Sequence, residues 1–141
     1  MPALPSPILL VDDDYTNNFL NAKLLQRFDA TAQVLTALNG QEALDVLRTH
    51  CQSPSRRCPV LVFLDINMPV MDGIAFLQSF QHLPPAQQQD VVVIMLTTSL
   101  NPRDLARVQA LPVAGFLSKP LTEDKVTQVL ADYFPPSPAV H

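Results

Sequence analysis

Val60-Leu61-Val62-Phe63-Leu64-Asp65-Ile66-Asn67-Met68-Pro69-Val70-Met71-Asp72-Gly73 is an apolar run that ends in an acid and a turn. A continuous run of β-branched and aromatic residues without polar alternation reads as a strand buried on both faces, as in the parallel sheets of α/β domains. Asp65 then stands at the carboxyl end of that strand. The loops leaving this edge of an open α/β sheet surround a crevice, and ligands bind there. Taken alone, Asp65 could equally cap a turn, so the other strands have to decide between the two readings.

The bulk numbers narrow the field. With 141 residues, 48% of them hydrophobic and 16% charged, the chain is long enough for one domain with a full core. No stretch approaches the roughly 20 apolar residues of a membrane span. Residues 1–6 lack the basic and apolar regions of a signal peptide. The expectation is a cytoplasmic protein with no membrane association. A net charge of -4, with no basic cluster larger than Arg56-Arg57, argues against a nucleic-acid surface. Cys51 and Cys58 lack metal-site spacing and read as free thiols in a loop.

Along the chain, residues 1–6 form a flexible, proline-rich leader, residues 7–134 the folded domain and residues 135–141 a disordered proline-rich tail. Ile8-Leu9-Leu10-Val11 is a second apolar strand, and it too runs into acid, at Asp12-Asp13-Asp14. Asp14 is placed to cap a helix with Leu20, Leu24 and Phe28 as its apolar positions. A strand over residues 32–38 follows. Asn39 then acts as an N-cap with its reciprocal Glu42 three residues on, opening a helix that buries Ala43, Leu44 and Leu47. After a surface loop over residues 50–59 comes the central strand. Asp72 or Gly73 starts a helix with Ile74, Leu77 and Phe80 on one side, stopped by Leu83-Pro84-Pro85. Residues 91–96 are the plainest buried strand, and Thr97, Thr98 and Ser99 follow it. Asn101 caps a short helix with Pro102 at its first position. Gly115-Phe116-Leu117-Ser118 delivers Lys119-Pro120 at its end, and Thr122 caps a last helix with Val126, Val129, Leu130 and Tyr133 as its face. Five strands alternating with five helices predict a doubly wound parallel α/β sheet with right-handed crossovers. No repeat and no second domain is visible.

Four strand ends therefore present reactive polar groups on one edge: Asp12 and Asp13, Asp65, Thr97 and Lys119. Three converging carboxylates repel one another unless a cation sits among them. Mg²⁺ takes one or two carboxylates and leaves positions for phosphate oxygens, so the cluster reads as a Mg²⁺ site prepared for a phosphorylated ligand. Lys119 adds a point charge and Thr97 a donor for further phosphoryl oxygens. A carboxylate can itself accept the phosphoryl group. Asp65 is the choice, because it stands on the central strand with the other acids on one side and Lys119 and Thr97 on the other.

On these residues the chain resembles the response-regulator receiver domains of two-component signalling. The matching motifs are Val11-Asp12-Asp13, Asn39-Gly40-x-Glu42-Ala43-Leu44, Leu64-Asp65-Ile66-Asn67-Met68-Pro69-x-Met71-Asp72-Gly73, Leu96-Thr97 and Phe116-Leu117-Ser118-Lys119-Pro120. The resemblance spans most of the chain and implies a flavodoxin-like sheet of order 2-1-3-4-5. It implies transfer of a phosphoryl group from a sensor histidine kinase or histidine phosphotransfer protein to Asp65. It implies Mg²⁺ held by Asp12, Asp13, Asp65 and the Asn67 backbone carbonyl, and a cis bond before Pro120. Thr97 and Phe116 correspond to the switch pair of such domains. Phe116 stands where Tyr is commoner, and Thr98 stands where a smaller residue is frequent and narrows access to the phosphoryl group.

The expected function is a stand-alone phosphoacceptor switch, catalysing nothing beyond its own phosphorylation and dephosphorylation, and monomeric or weakly dimeric. A downstream protein would read the face made by the fourth helix, fifth strand and fifth helix, with Arg103, Arg107 and Lys125 as its charges. The alternative is an adaptor with this fold that takes no phosphate. An aspartyl-phosphate phosphohydrolase would want an acid two residues after the nucleophile, where this chain has Asn67.

Overall fold

The computed structural model describes residues 4–50, 59–85, 91–98 and 102–135. Five strands, β1 (Ile8–Val11), β2 (Val34–Ala37), β3 (Leu61–Asp65), β4 (Val92–Thr97) and β5 (Gly115–Ser118), form one parallel sheet in the order β2-β1-β3-β4-β5. The helices described are α1 (Tyr15–Phe28), α2 (Gly40–His50), α3 (Gly73–Phe80), α4 (Pro102–Gln109) and α5 (Glu123–Tyr133). This is the doubly wound parallel sheet that the alternating strands and helices predict, in the flavodoxin-like order that the resemblance implies. No helix among the described residues is long and apolar enough to cross a membrane.

Alternation along the buried strands divides the core into two layers. Leu9, Val11, Val62, Leu64, Val93 and Met95 pack with Ala43, Leu44 and Leu47 of α2, Ile74, Phe76, Leu77 and Phe80 of α3, and Val108 of α4. Ile8, Leu10, Leu61, Phe63, Ile94 and Leu96 face the opposite way, against Leu25 and Phe28 of α1 and Val126 and Val129 of α5. Both faces of β1 and β3 are covered, so these strands are apolar at every core position and carry acid only where they emerge.

Several local expectations are corrected. In α1, Leu20 is 57% exposed, and the buried positions are Asn18, Leu25 and Phe28. Steps of four residues rotate about 40° per step around a helix, so Leu20 and Phe28 cannot share a narrow face. β2 is shorter than expected and only half-buried, as suits an edge strand. Residues 4–6, expected in a flexible leader, pack on the domain. Leu4 is buried, its N–H donates to Asp29 Oδ2 at 3.1 Å, and Ser6 Oγ accepts from Gln33 N–H at 2.9 Å. Cys51, Cys58, Asn101, most of the loop over residues 50–59 and the tail from 136 onward lie outside the described residues.

The caps agree with the sequence chemistry. Asp14 accepts from the N–H groups of Thr16 and Asn17, Asn39 from Glu42, Asp72 from Ala75 and Thr122 from Lys125. Glu42 reaches back to the N–H of Leu38 at 3.0 Å, one residue beyond the usual capping-box target.

Candidate functional site

The site lies at the carboxyl edge, where the two central strands end in acid. Asp12 and Asp65 are buried and Asp13 is exposed, and one oxygen from each can be chosen so that all lie within 4.8 Å of one another. Asp12 is fixed by its own main chain. Its N–H donates to Ala37 O at 3.1 Å, and its carbonyl accepts from Asn18 Nδ2 at 3.0 Å. The second Asn18 Nδ2 proton goes to Ala37 O at 3.1 Å, so this buried amide holds the ends of β1 and β2 together. Asp12 Oδ1 accepts from the Asp14 N–H at 2.9 Å, which leaves Oδ2 facing the crevice.

Lys119 reaches that oxygen. Its Nζ lies 3.0 Å from Asp12 Oδ2 and 3.3 Å from Asp65 Oδ2. Its N–H donates to Thr97 O at 2.8 Å, and its bond to Pro120 is cis, as the resemblance implies. Burial pushes the Asp65 carboxyl above the ordinary carboxylate range, against the pull of the Lys119 ammonium, and the Asp12 charge adds to the rise. For Lys119, burial favours the neutral amine, but its bond to Asp12 and the charges of Asp65 and Asp12 prevail and hold its pKa above the usual value.

The loop after Asp65 is built on close backbone approaches. Met71 N–H donates to Pro69 O at 2.7 Å across Val70, whose φ of 67° is left-handed. Gly40 N–H donates to Met71 O and Gly73 N–H to Ile66 O, both at 2.8 Å. A Cβ on Gly73 would collide with the Asp65 carbonyl oxygen and sit 3.0 Å from Ile66 Cα, so only glycine lets α3 start this close to the acid. Asn67 is exposed, two residues past Asp65.

Thr97 ends β4 buried, and Thr98 beyond it is exposed. Thr97 pairs with Ser118, which places Phe116 diagonally across on the same sheet face, half-buried against the α2–α3–α4 layer. The fold thus gathers Asp12, Asp13, Asp65 and Lys119 at one point, with Thr97 at the neighbouring strand end. Lys125, expected as an exposed partner contact, is tied into the chain instead: its Nζ donates to Ser118 O at 2.7 Å, Ser118 Oγ at 3.1 Å and Pro120 O at 2.9 Å. Neither Asn18 nor the clamping role of Lys125 is read from the sequence. The available signals were a lysine in the first turn of a helix, where the dipole disfavours a cation, and an amide amid an apolar face.

Fold and site together define a class: a doubly wound parallel domain whose ligand edge carries an acidic cluster able to hold a metal ion, with a lysine set into it. Comparison with known proteins narrows this. The family model of the response regulator receiver domain matches residues 8–131. The chain is 30% identical over 128 residues to the probable methanogenesis regulatory protein FilR2 of Methanothrix harundinacea, covering 91% of this chain and 81% of that one. It is 28% identical to the transcriptional regulatory protein CitT of Bacillus subtilis, where it covers 89% of this chain and only 51% of the relative. The crystal structure of the chemotaxis protein CheY4 from Vibrio cholerae superposes with a TM-score of 0.72 at 27% identity, covering 92% of this chain and 98% of that one. The chain belongs to the response regulator receiver domain family of two-component signalling.

Proposed function

We propose that Asp65 accepts a phosphoryl group from the phosphohistidine of a sensor histidine kinase or a histidine phosphotransfer protein, and that the aspartyl phosphate changes a surface read by another protein. The observation that carries this reading is the Lys119 ammonium bridging Asp12 and Asp65 at 3.0 and 3.3 Å. It places one fixed positive charge against both the acceptor carboxylate and its acidic neighbour. An Asp65 oxygen attacks phosphorus, the P–N bond breaks, and the imidazole nitrogen leaves with its electron pair. Lys119 neutralises charge on the phosphoryl oxygens, and the Thr97 hydroxyl donates to one of them.

The donor set suits a hard divalent cation: three carboxylates whose oxygens can lie within 4.8 Å of one another, one held above its usual pKa by burial. Asp12, Asp13, Asp65 and the Asn67 carbonyl would hold Mg²⁺. When bound, the ion supplies neutralisation of the acidic cluster and of phosphoryl charge. No substrate other than its own phosphoryl group is proposed, so the chain is a switch and not an enzyme in the usual sense. The same reading places it in the cytoplasm, where the ATP that charges such donors is held.

Output follows from Thr97 and Phe116 sharing one sheet face. A hydroxyl drawn toward the phosphoryl group frees space for the half-buried ring, and the α4–β5–α5 face changes shape. Acetyl phosphate with Mg²⁺ should add one acid-stable, base-labile phosphate to the wild-type chain, read by mass. Uptake at the same rate by Asp65→Asn would refute the assignment.

A further inference from the structure

Lys125 occupies a position that local rules disfavour. It is the third residue of α5, after the Thr122 cap, where the helix dipole opposes a positive charge. Its ammonium turns back over the helix start, and its three protons meet Ser118 O, Ser118 Oγ and Pro120 O, at 2.7, 3.1 and 2.9 Å. An ammonium has three donors and no more, so the group is saturated within its own chain. Its acceptors flank one residue, Lys119, whose own N–H is held by Thr97 O at 2.8 Å. The backbone that launches the Lys119 side chain is thus fixed on both sides by one cation and in the middle by the neighbouring strand.

We propose that Lys125 is a positioning residue for the phosphoacceptor site: by clamping residues 118–120 it sets where the Lys119 ammonium stands between Asp12 and Asp65. The proposal rests on the function proposed above and deepens it. Lys119 has a long, flexible stem, so its ammonium is only as well placed as the backbone it leaves. Misplacing a charge-neutralising group by about 1 Å costs up to about 100-fold in rate. A residue that touches neither phosphate nor carboxylate therefore controls the rate through Lys119.

The test measures phosphate uptake at Asp65 from acetyl phosphate and Mg²⁺, alongside ¹⁵N ammonium spectra of the Mg²⁺-free protein. Lys125→Met should slow uptake at saturating donor roughly ten-fold with KM little changed. Lys125→Arg, which restores several donors, should stay within about three-fold of wild type. In a Lys119→Met background, Lys125→Met should slow uptake no further, because the clamp then has nothing to position. The Lys119 ammonium signal should shift or broaden in Lys125→Met. Wild-type uptake by Lys125→Met, an unmoved Lys119 signal, or equal slowing with and without Lys119 would each overturn the proposal. If Lys125→Met does not fold, Lys125→Gln carries the same comparison. If the wild-type chain itself takes no phosphate at Asp65, the functional reading fails, and the ammonium spectra still decide whether the clamp exists.

Discussion

Replacing Lys119 by methionine tests how the site is held together before any ligand arrives. The Lys119 side chain is 20% exposed and its two partner side chains 6% and 11%, so breaking the contact leaves two nearly buried carboxylates facing each other. At 3.0 and 3.3 Å, and an effective dielectric constant near 20, each attraction is worth about 5 kcal/mol before the cost of removing the charges from water. That desolvation cost cancels much of the gain, but it is not recovered when only one partner is deleted. Breaking a buried pair from one side costs about 3–5 kcal/mol, and the partial exposure of Lys119 points to about 3. For a urea slope near 2 kcal/mol per molar, the unfolding midpoint at pH 7 without divalent ions should fall by roughly 1.5 M.

The pH dependence identifies the cause. Asp65 has a raised folded pKa, so it is readily neutralised in acid and the variant's uncompensated charge then disappears. Lys119 also has a raised folded pKa. Its contribution is therefore fully present below the unfolded value of 10.5 and is lost as pH rises through the folded one. The gap between variant and wild type should be widest near neutrality and narrow toward pH 3 and above the lysine range. Mg²⁺ at a hundred times its dissociation constant adds about 2.7 kcal/mol to whichever protein binds it, and should narrow the gap by binding the variant more tightly. Equal midpoints at pH 7 without Mg²⁺, or a gap of the same size at pH 3, would refute the assignment of Lys119 as the counter-charge.

Three other outcomes follow from the same geometry. Gly73→Ala, whose new methyl meets the Asp65 carbonyl oxygen and Ile66 Cα, should destabilise by about 3 kcal/mol and slow phosphate uptake by displacing Asp65; a urea midpoint within error of wild type would count against the close approach. Val70→Asn should stabilise by about 1 kcal/mol in thermal or urea unfolding, because Val70 is 85% exposed with φ 67°, and asparagine tolerates that backbone where a β-branched residue does not. Asp65→Asn should be more stable than wild type at pH 7 without Mg²⁺. The raised folded pKa of Asp65 means its contribution is present below 3.8 and lost as pH rises through the folded value, so the gap should close in acid; a gap independent of pH would place the effect elsewhere.

What could be read beforehand divides along a physical line. Asp65 and Asp12 were legible because the inner strands β1 and β3 are buried at every position, so the first polar residue after each apolar run must stand at an edge; Lys119 follows Ser118 at the end of the less buried β5, and consecutive right-handed crossovers bring it to the same edge. Caps were legible for a similar reason, since Asp14, Asn39, Asp72 and Thr122 act on N–H groups two or three residues away. Leu20 was misjudged because a spacing of four is compatible with two neighbouring faces, and only the packed sheet decides which one is buried.

The tight fit of Gly40 against Met71, the Asn18 bridge between Asp12 and Ala37, and the Lys125 clamp join segments whose approach no local pattern encodes. Lys125 nonetheless had a readable signal, because a cation at the start of a helix breaks a local rule. In a chain where propensity, pattern and capping otherwise agree, such a breach marks a residue whose compensation lies elsewhere in the fold. Here the compensation is three carbonyl and hydroxyl oxygens beside Lys119, so the same oxygens that stabilise the misplaced charge also fix the lysine on which the acidic site depends.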